Sequence, residues 1–113
     1  MMHKYSLFIG RYQPFHDGHE KLIRSVLDEG KNVCIAIRDT EKDEKNPYSI
    51  DERTKMIFDR FVREAILESR VRVVVIPDIT EVCYGRKVGW GIREIKLDAA
   101  TERISATKIR EKS

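Results

Sequence analysis

Apolar runs and helical periodicities alternate along the first two-thirds of the chain. Tyr5-Ser6-Leu7-Phe8-Ile9 is a short, largely apolar run ended by Gly10, which predicts a buried strand. From Asp17 to Glu29, Leu22, Ile23, Val26 and Leu27 recur at helical spacing, and Gly30 stands where such a helix stops. Asn32-Val33-Cys34-Ile35-Ala36-Ile37 is continuously apolar after its first residue, so a strand covered on both faces is expected. Strand, helix and strand in succession form a βαβ unit. Asp39 to Asn46 is polar without periodicity and predicts a solvated loop, and Asn46-Pro47 marks a turn. Ser49 fits a helix N-cap, with Glu52 completing a capping box, before a helix from Ile50 to about Glu68. Its expected core stripe is Ile50, Met56, Ile57, Phe61, Ala65 and Ile66. Arg72 to Ile76 reads as a third strand closed by Pro77. Val82-Cys83-Tyr84 and Gly91 to Leu97 predict two further short strands, and Ser105 opens a last short helix. The order predicts an α/β fold, an open and mainly parallel sheet of about five strands with helices on both faces. Ligands of such sheets bind beyond the carboxyl ends of the strands, the edge on which Gly10 and Gly85 fall.

A length of 113 residues sets the expectation of a single domain over 1–113. Apolar residues make up 41% and charged residues 36%, the profile of a globular protein with a charged exterior. No apolar run reaches the ~18 residues of a membrane span, and Met1-Met2-His3-Lys4-Tyr5 lacks a signal-peptide layout. Cys34 and Cys83 sit among β-formers, which predicts reduced, buried thiols. Together these features favour the cytoplasm and no membrane partner. The net charge is only +3, from 22 basic and 19 acidic side chains, with no basic block interleaved with aromatics; no nucleic-acid partner is expected. A modest positive excess suits a small anion such as a phosphate compound.

The chemistry concentrates in Gly10-Arg11-Tyr12-Gln13-Pro14-Phe15-His16-Asp17-Gly18-His19. His16 and His19 are three apart across a helix start, so both can face one point. Gly18 leaves room for a ligand beside the backbone, and the helix N-terminus adds N–H groups and a positive dipole end. With Arg11 these make a phosphate cradle without an obvious nucleophile or base. Three other readings fit the same residues. Two histidines could bind a metal, although His3 is the sole other histidine and no Glu-x-x-His pattern is present. They could cap the helix with no ligand, or serve a nucleotide sensor that does not turn over.

GRYQPFHDGH resembles the HxGH signature of the nucleotidyltransferase superfamily, in the GRFQPFHxGH form of nicotinamide-mononucleotide-type adenylyltransferases. Ile104-Ser105-Ala106-Thr107-Lys108-Ile109-Arg110 is similar to that family's second signature, ISSTxIR, and Asn46 to Arg53 resembles the segment opening its next helix. Class I aminoacyl-tRNA synthetases carry a related HxGH motif but are several times longer. The resemblance covers essentially the whole chain.

The resemblance implies a Rossmann-like fold and transfer of a nucleoside monophosphate from a nucleoside triphosphate to a phosphorylated small-molecule acceptor, with pyrophosphate released. ATP is the favoured donor. CTP is the runner-up, because in size the chain resembles glycerol-3-phosphate cytidylyltransferase, which would make the acceptor a polyol or sugar phosphate. The resemblance assigns His16 and His19 to catalysis, and Gly10, Arg11, Gly18, Ser105, Thr107 and Arg110 to the triphosphate. Arg53, Tyr84, Gly85, Arg86, Lys87 and Trp90 are weaker candidates for the base or the acceptor. No protein metal site is implied; Mg²⁺ arrives on the triphosphate. A non-catalytic nucleotide-binding regulatory module remains the alternative outside enzymes. The pattern also departs from the family. Ala100 stands where cytidylyltransferases carry Arg, leaving Arg103 or Lys96 to supply the charge, and Ala106 replaces a second Ser/Thr. Pro77 to Glu81 is too short for the helix many members place there, so a pared-down fold, helped by a homodimer, is expected.

Overall fold

A computed structural model describes residues 4–85, 89 and 91–95. β1 (Tyr5–Gly10), α1 (Asp17–Leu27), β2 (Asn32–Asp39), α2 (Ile50–Leu67) and β3 (Val71–Pro77) follow one another. The strands form a parallel sheet in the order β1-β2-β3, with Phe8 beside Ile35 and Ile35 beside Val73. The α/β architecture and the parallel sheet are as the apolar runs predict. Three strands lie within the described residues. Val82-Cys83-Tyr84 is coil and not a strand, as are residues 91–95; the rest of the expected fifth strand and the helix from Ser105 lie outside the described residues.

Central β2 explains the layering. Its alternate residues Val33, Ile35 and Ile37 share one core with Ile23, Val26 and Leu27 of α1 and with Ile57 and Phe61 of α2. Both described helices therefore cover the same face of the sheet, where helices on both faces are expected from sequence. On the other face Leu7 lines up with Cys34 and Arg72, and Ile9 with Ala36 and Val74. Leu7 is 59% exposed, so β1 is half-buried rather than a fully buried strand. Ile66, assigned to the α2 core stripe, is 70% exposed, and Cys83 is exposed where a buried thiol is expected.

Local chemistry fixes the element ends. Ser49 Oγ accepts from Glu52 N at 3.1 Å while the Glu52 carboxylate accepts from Ser49 N at 3.3 Å, the reciprocal cap read from sequence. Gly30, at φ +80, ends the α1 segment, and Arg70 donates to the Leu27 and Lys31 carbonyls on either side of it. α2 kinks at Phe61, and the carbonyl of Arg60 at the kink accepts from Arg24 of α1 at 3.0 Å. Among the described residues no helix is long and apolar enough to cross a membrane.

Candidate active site

The β1–α1 connection crosses the carboxyl edge of the sheet and delivers the two histidines to the first turn of α1. His16 is the N-cap. Its Nδ1 accepts from Gly18 N at 3.1 Å and His19 N at 3.4 Å, while His16 N donates to His19 Nδ1 at 3.1 Å. A capping box normally made by a hydroxyl and a carboxylate is here made by two imidazoles. The capping reading is thus correct as geometry, and it qualifies the cradle: the amides of Gly18 and His19 go to the cap and not to a ligand. Chemistry remains on the opposite ring edge. Because each Nδ1 accepts, each neutral ring carries its proton on Nε2, which makes two N–H donors.

The rings stack with centroids 3.7 Å apart. Phe15 stacks on His19 at 5.3 Å, and Tyr12 meets His19 edge-on at 4.9 Å. Burial, then the neighbouring His16 and Arg60, push His19 down to about 3. His16 is also lowered, chiefly by burial, with Asp17 opposing and Arg60 reinforcing. Both imidazoles are therefore neutral at physiological pH.

Supporting residues that the sequence does not single out surround this pair. Tyr12 adopts φ 53, a left-handed conformation unusual for a bulky residue, and is buried. That turn lays its ring over Gly10, where a Cβ would come within 2.9 Å of Tyr12 Cε1 and Cζ. Gly10 is thus required for Tyr12 to pack, a role distinct from the phosphate contact expected of it. Burial also holds the Tyr12 phenol far above its ordinary pKa, so it stays neutral. Gln13 pairs with Tyr48 as a strand would: Nε2 donates to the Tyr48 carbonyl at 3.0 Å and Oε1 accepts from Tyr48 N at 2.9 Å. This fastens the histidine loop to the segment entering α2. No local periodicity marks either residue, and the Gln13 partner, Tyr48, lies 35 residues along the chain.

Arg53 requires the largest correction. Read as a ligand-binding or surface charge, it is instead 1% exposed. Its Nη1 donates to the carbonyls of Arg11 and Arg38, each at 2.8 Å, and its Nε to that of Ser49 at 3.2 Å. It clamps the ends of β1 and β2 to the start of α2. Arg11 is exposed on the same edge and donates to Asn46 Oδ1 at 3.3 Å, leaving its charge on the surface beside the loop. Gly18 is buried in the cap. Tyr84 and Gly85 lie on exposed coil beyond β3, and a Cβ at Gly85 would meet nothing within 4 Å. Arg86, Lys87, Trp90, Ser105, Thr107 and Arg110 lie outside the described residues. Among the described residues no three His, Cys, Asp or Glu side chains converge on a metal position.

Comparison with known proteins places this geometry in context. The cytidylyltransferase-like family model matches residues 7–66. A nicotinamide-nucleotide adenylyltransferase of Thermococcus onnurineus is 39% identical over 80 residues, 69% of this chain and 42% of that protein. A nicotinamide/nicotinic acid mononucleotide adenylyltransferase of Acinetobacter baylyi is 39% identical over 77 residues, 66% of this chain and 40% of that protein. The chain thus spans about two-fifths of the length of these curated relatives. Among solved structures, a bifunctional NMN adenylyltransferase/ADP ribose pyrophosphatase from Francisella tularensis, complexed with AMP and a manganese ion, superposes with a TM-score of 0.57. It is 35% identical and covers 68% of this chain and 23% of its own.

Proposed function

The chain belongs to the cytidylyltransferase-like family, and from that membership we propose that it transfers AMP from ATP to the phosphate of a mononucleotide acceptor, nicotinamide mononucleotide, releasing pyrophosphate. One observation carries the proposal: His16 and His19 spend Nδ1 on the helix cap and keep Nε2–H as a pair of neutral donors at the carboxyl edge of the sheet. Nucleotidyl transfer needs such a pair. An acceptor phosphate oxygen, already anionic, forms the new bond to the α-phosphorus in line while the bond to the bridging oxygen breaks. No protein base is required, so catalysis is positioning and charge stabilisation. The Nε2–H groups donate to the α- and β-phosphates as charge moves onto pyrophosphate, and Arg11 adds positive charge at the edge. In this reading Ser105, Thr107 and Arg110 would bind the β- and γ-phosphates, and Tyr84, Gly85, Arg86, Lys87 and Trp90 would bind the base or acceptor. Mg²⁺ bound to the triphosphate would neutralise its phosphate charge. Residues 1–113 would act as one domain, in the cytoplasm and as a homodimer.

The relatives named as nicotinamide-nucleotide adenylyltransferases favour ATP over CTP. The test is pyrophosphate release with Mg²⁺ across ATP and CTP, each paired with nicotinamide mononucleotide and with glycerol 3-phosphate. Dinucleotide formation from ATP and nicotinamide mononucleotide is expected. Turnover only with CTP and glycerol 3-phosphate would establish a cytidylyltransferase, and tight ATP binding without turnover on any acceptor would establish a regulatory module.

A further inference from the structure

The outer edge of β3 is undefended. β3 stands at one end of the sheet, and among the described residues no strand pairs with its free side. Val33 N donates to the Arg70 carbonyl at 2.8 Å, and residues of a parallel ladder alternate from there. Arg72, Val74 and Ile76 turn their backbone groups to β2, while Val71, Val73 and Val75 turn theirs outward. Edges that stay unpaired are blunted by charge, proline or a bulge. Here Pro77 comes only at the last position. The single charge of the strand, Arg72, reaches back across the sheet to the Tyr5 ring, 5.4 Å from its centroid, and leaves the edge clear. Val74 and Val75, on opposite faces of the strand, are 41% and 48% exposed. Above this edge runs α2, which packs on β2 and β3. Its Arg60 and Glu64 meet α1 through Asp17, Glu20 and Arg24. At about 100° per residue, Phe58, Val62 and Ile66 lie roughly half a turn round from that pair, on the side overhanging β3. All three are exposed, whereas α1 has no exposed large apolar residue to match them over β1.

We propose that the β3 edge and the α2 stripe above it are the interface of a homodimer, in which two copies pair β3 with β3 antiparallel about a two-fold axis perpendicular to the sheet. A second copy fits this face in its spacing, its charges and its area. Neighbouring strands lie about 4.8 Å apart, so two helices that each straddle β2 and β3 come to lie about 10 Å apart, the distance at which helices pack. The axis sets them antiparallel on the same face of the sheet, stripe against stripe. Asp59 and Arg63 stand on the solvent side of the stripe, where Asp59 also holds its own Lys55 at 2.7 Å. With Val62 near the axis, Asp59 of each copy comes within one helical turn of the partner's Arg63. With Val74 on the axis, Arg72 lies opposite the partner's Ile76, so like charges do not meet. The joined strip is about 23 Å long and two layers, or about 20 Å, deep. That amounts to roughly 1,000 Å² over both copies, the lower bound of a specific interface, so the dimer should depend on concentration. The two-fold axis uses the same face on both copies and closes the assembly. β1, which leads into the histidine loop, stands at the other end of the sheet and stays open. The pairing gives the homodimer of the proposed function a face and draws nothing from the transfer chemistry.

The experiment is sedimentation equilibrium of the full chain across a wide range of concentrations, with hydrogen exchange of the backbone amides read at both ends of that range. The mass should rise from monomer toward dimer, and the outward amides of Val73 and Val75 should gain protection as it does. Val62→Glu places a charge in the helix stripe, and Val74→Lys sets two like charges opposite one another on the axis. Each should weaken dimerisation by about tenfold or more, with monomer unfolding measured at low concentration unchanged. Both positions are exposed, so either variant alone keeps the test open should the other fail to fold. A chain that stays monomeric throughout, or a dimer that neither variant weakens, would overturn the proposal. So would Val73 and Val75 amides already protected in the monomer, which would mean that the chain's own residues cover the edge. Pyrophosphate release by a strict monomer would remove this interface and leave the proposed reaction standing.

Discussion

Arg53→Met should cost the protein its stability before it costs it a ligand. The guanidinium is buried and donates to the carbonyls of Arg11, Arg38 and Ser49. Methionine fills much of the same volume and supplies no donor. The Ser49 carbonyl keeps the Arg53 amide at 3.0 Å and the Arg38 carbonyl keeps the Thr40 amide at 2.9 Å, so the carbonyl of Arg11 is the one that loses its donor. An orphaned buried acceptor costs about 1–3 kcal/mol. Part of this is offset because a buried cation, whose pKa burial already lowers, no longer has to be desolvated. The net loss is roughly 1–3 kcal/mol, a sizeable share of the ~5–15 kcal/mol typical of a domain. The assay is urea denaturation followed by circular dichroism, where the midpoint should fall at unchanged slope. Arg53→Lys, with one compact ammonium in place of a fork, should fall between wild type and Arg53→Met. A loss below about 1 kcal/mol, accompanied by a large rise in the KM for ATP or acceptor, would refute the clamp and return Arg53 to the ligand.

Other outcomes follow from the same geometry. His19→Ala removes one donor that strengthens as pyrophosphate leaves, so kcat should drop roughly 10²–10³-fold while triphosphate affinity, measured by calorimetry, falls less; equal losses would indicate uniform binding. Gly10→Ala places a Cβ within 2.9 Å of the Tyr12 ring; displacing that ring should lower stability by about 1–3 kcal/mol in thermal melts and reduce turnover, since Tyr12 packs on His19. His19 is lowered from 6.5 to about 3, so the unfolded chain takes up a proton the native chain refuses. Stability should therefore be complete above pH 6.5 and decline as pH falls toward 3, on the order of a few kcal/mol by about pH 4; His19→Gln should flatten this slope in denaturation measured across pH.

By itself the sequence determined the order β1-α1-β2-α2-β3, because apolar runs, the 3.6-residue spacing, Ser49 with Glu52, and Gly30 all act within a few residues of chain. It also brought the two histidines together, since a spacing of three at a helix start brings the side chains to one face. Tertiary structure decided what those side chains do. The direction of each imidazole follows from which backbone amides Nδ1 meets, and their neutrality from burial against Phe15 and from Arg60, which reaches Asp17 across 43 residues. Arg53 reads as an ordinary helix cation until the carbonyl of Arg11, 42 residues away, converges on it with that of Arg38. Ile66 follows the helical stripe yet remains exposed beyond the kink at Phe61. Helix propensity, capping and periodicity are short-range quantities, whereas the environment of a charge or the orientation of a ring is set by groups that only folding brings near.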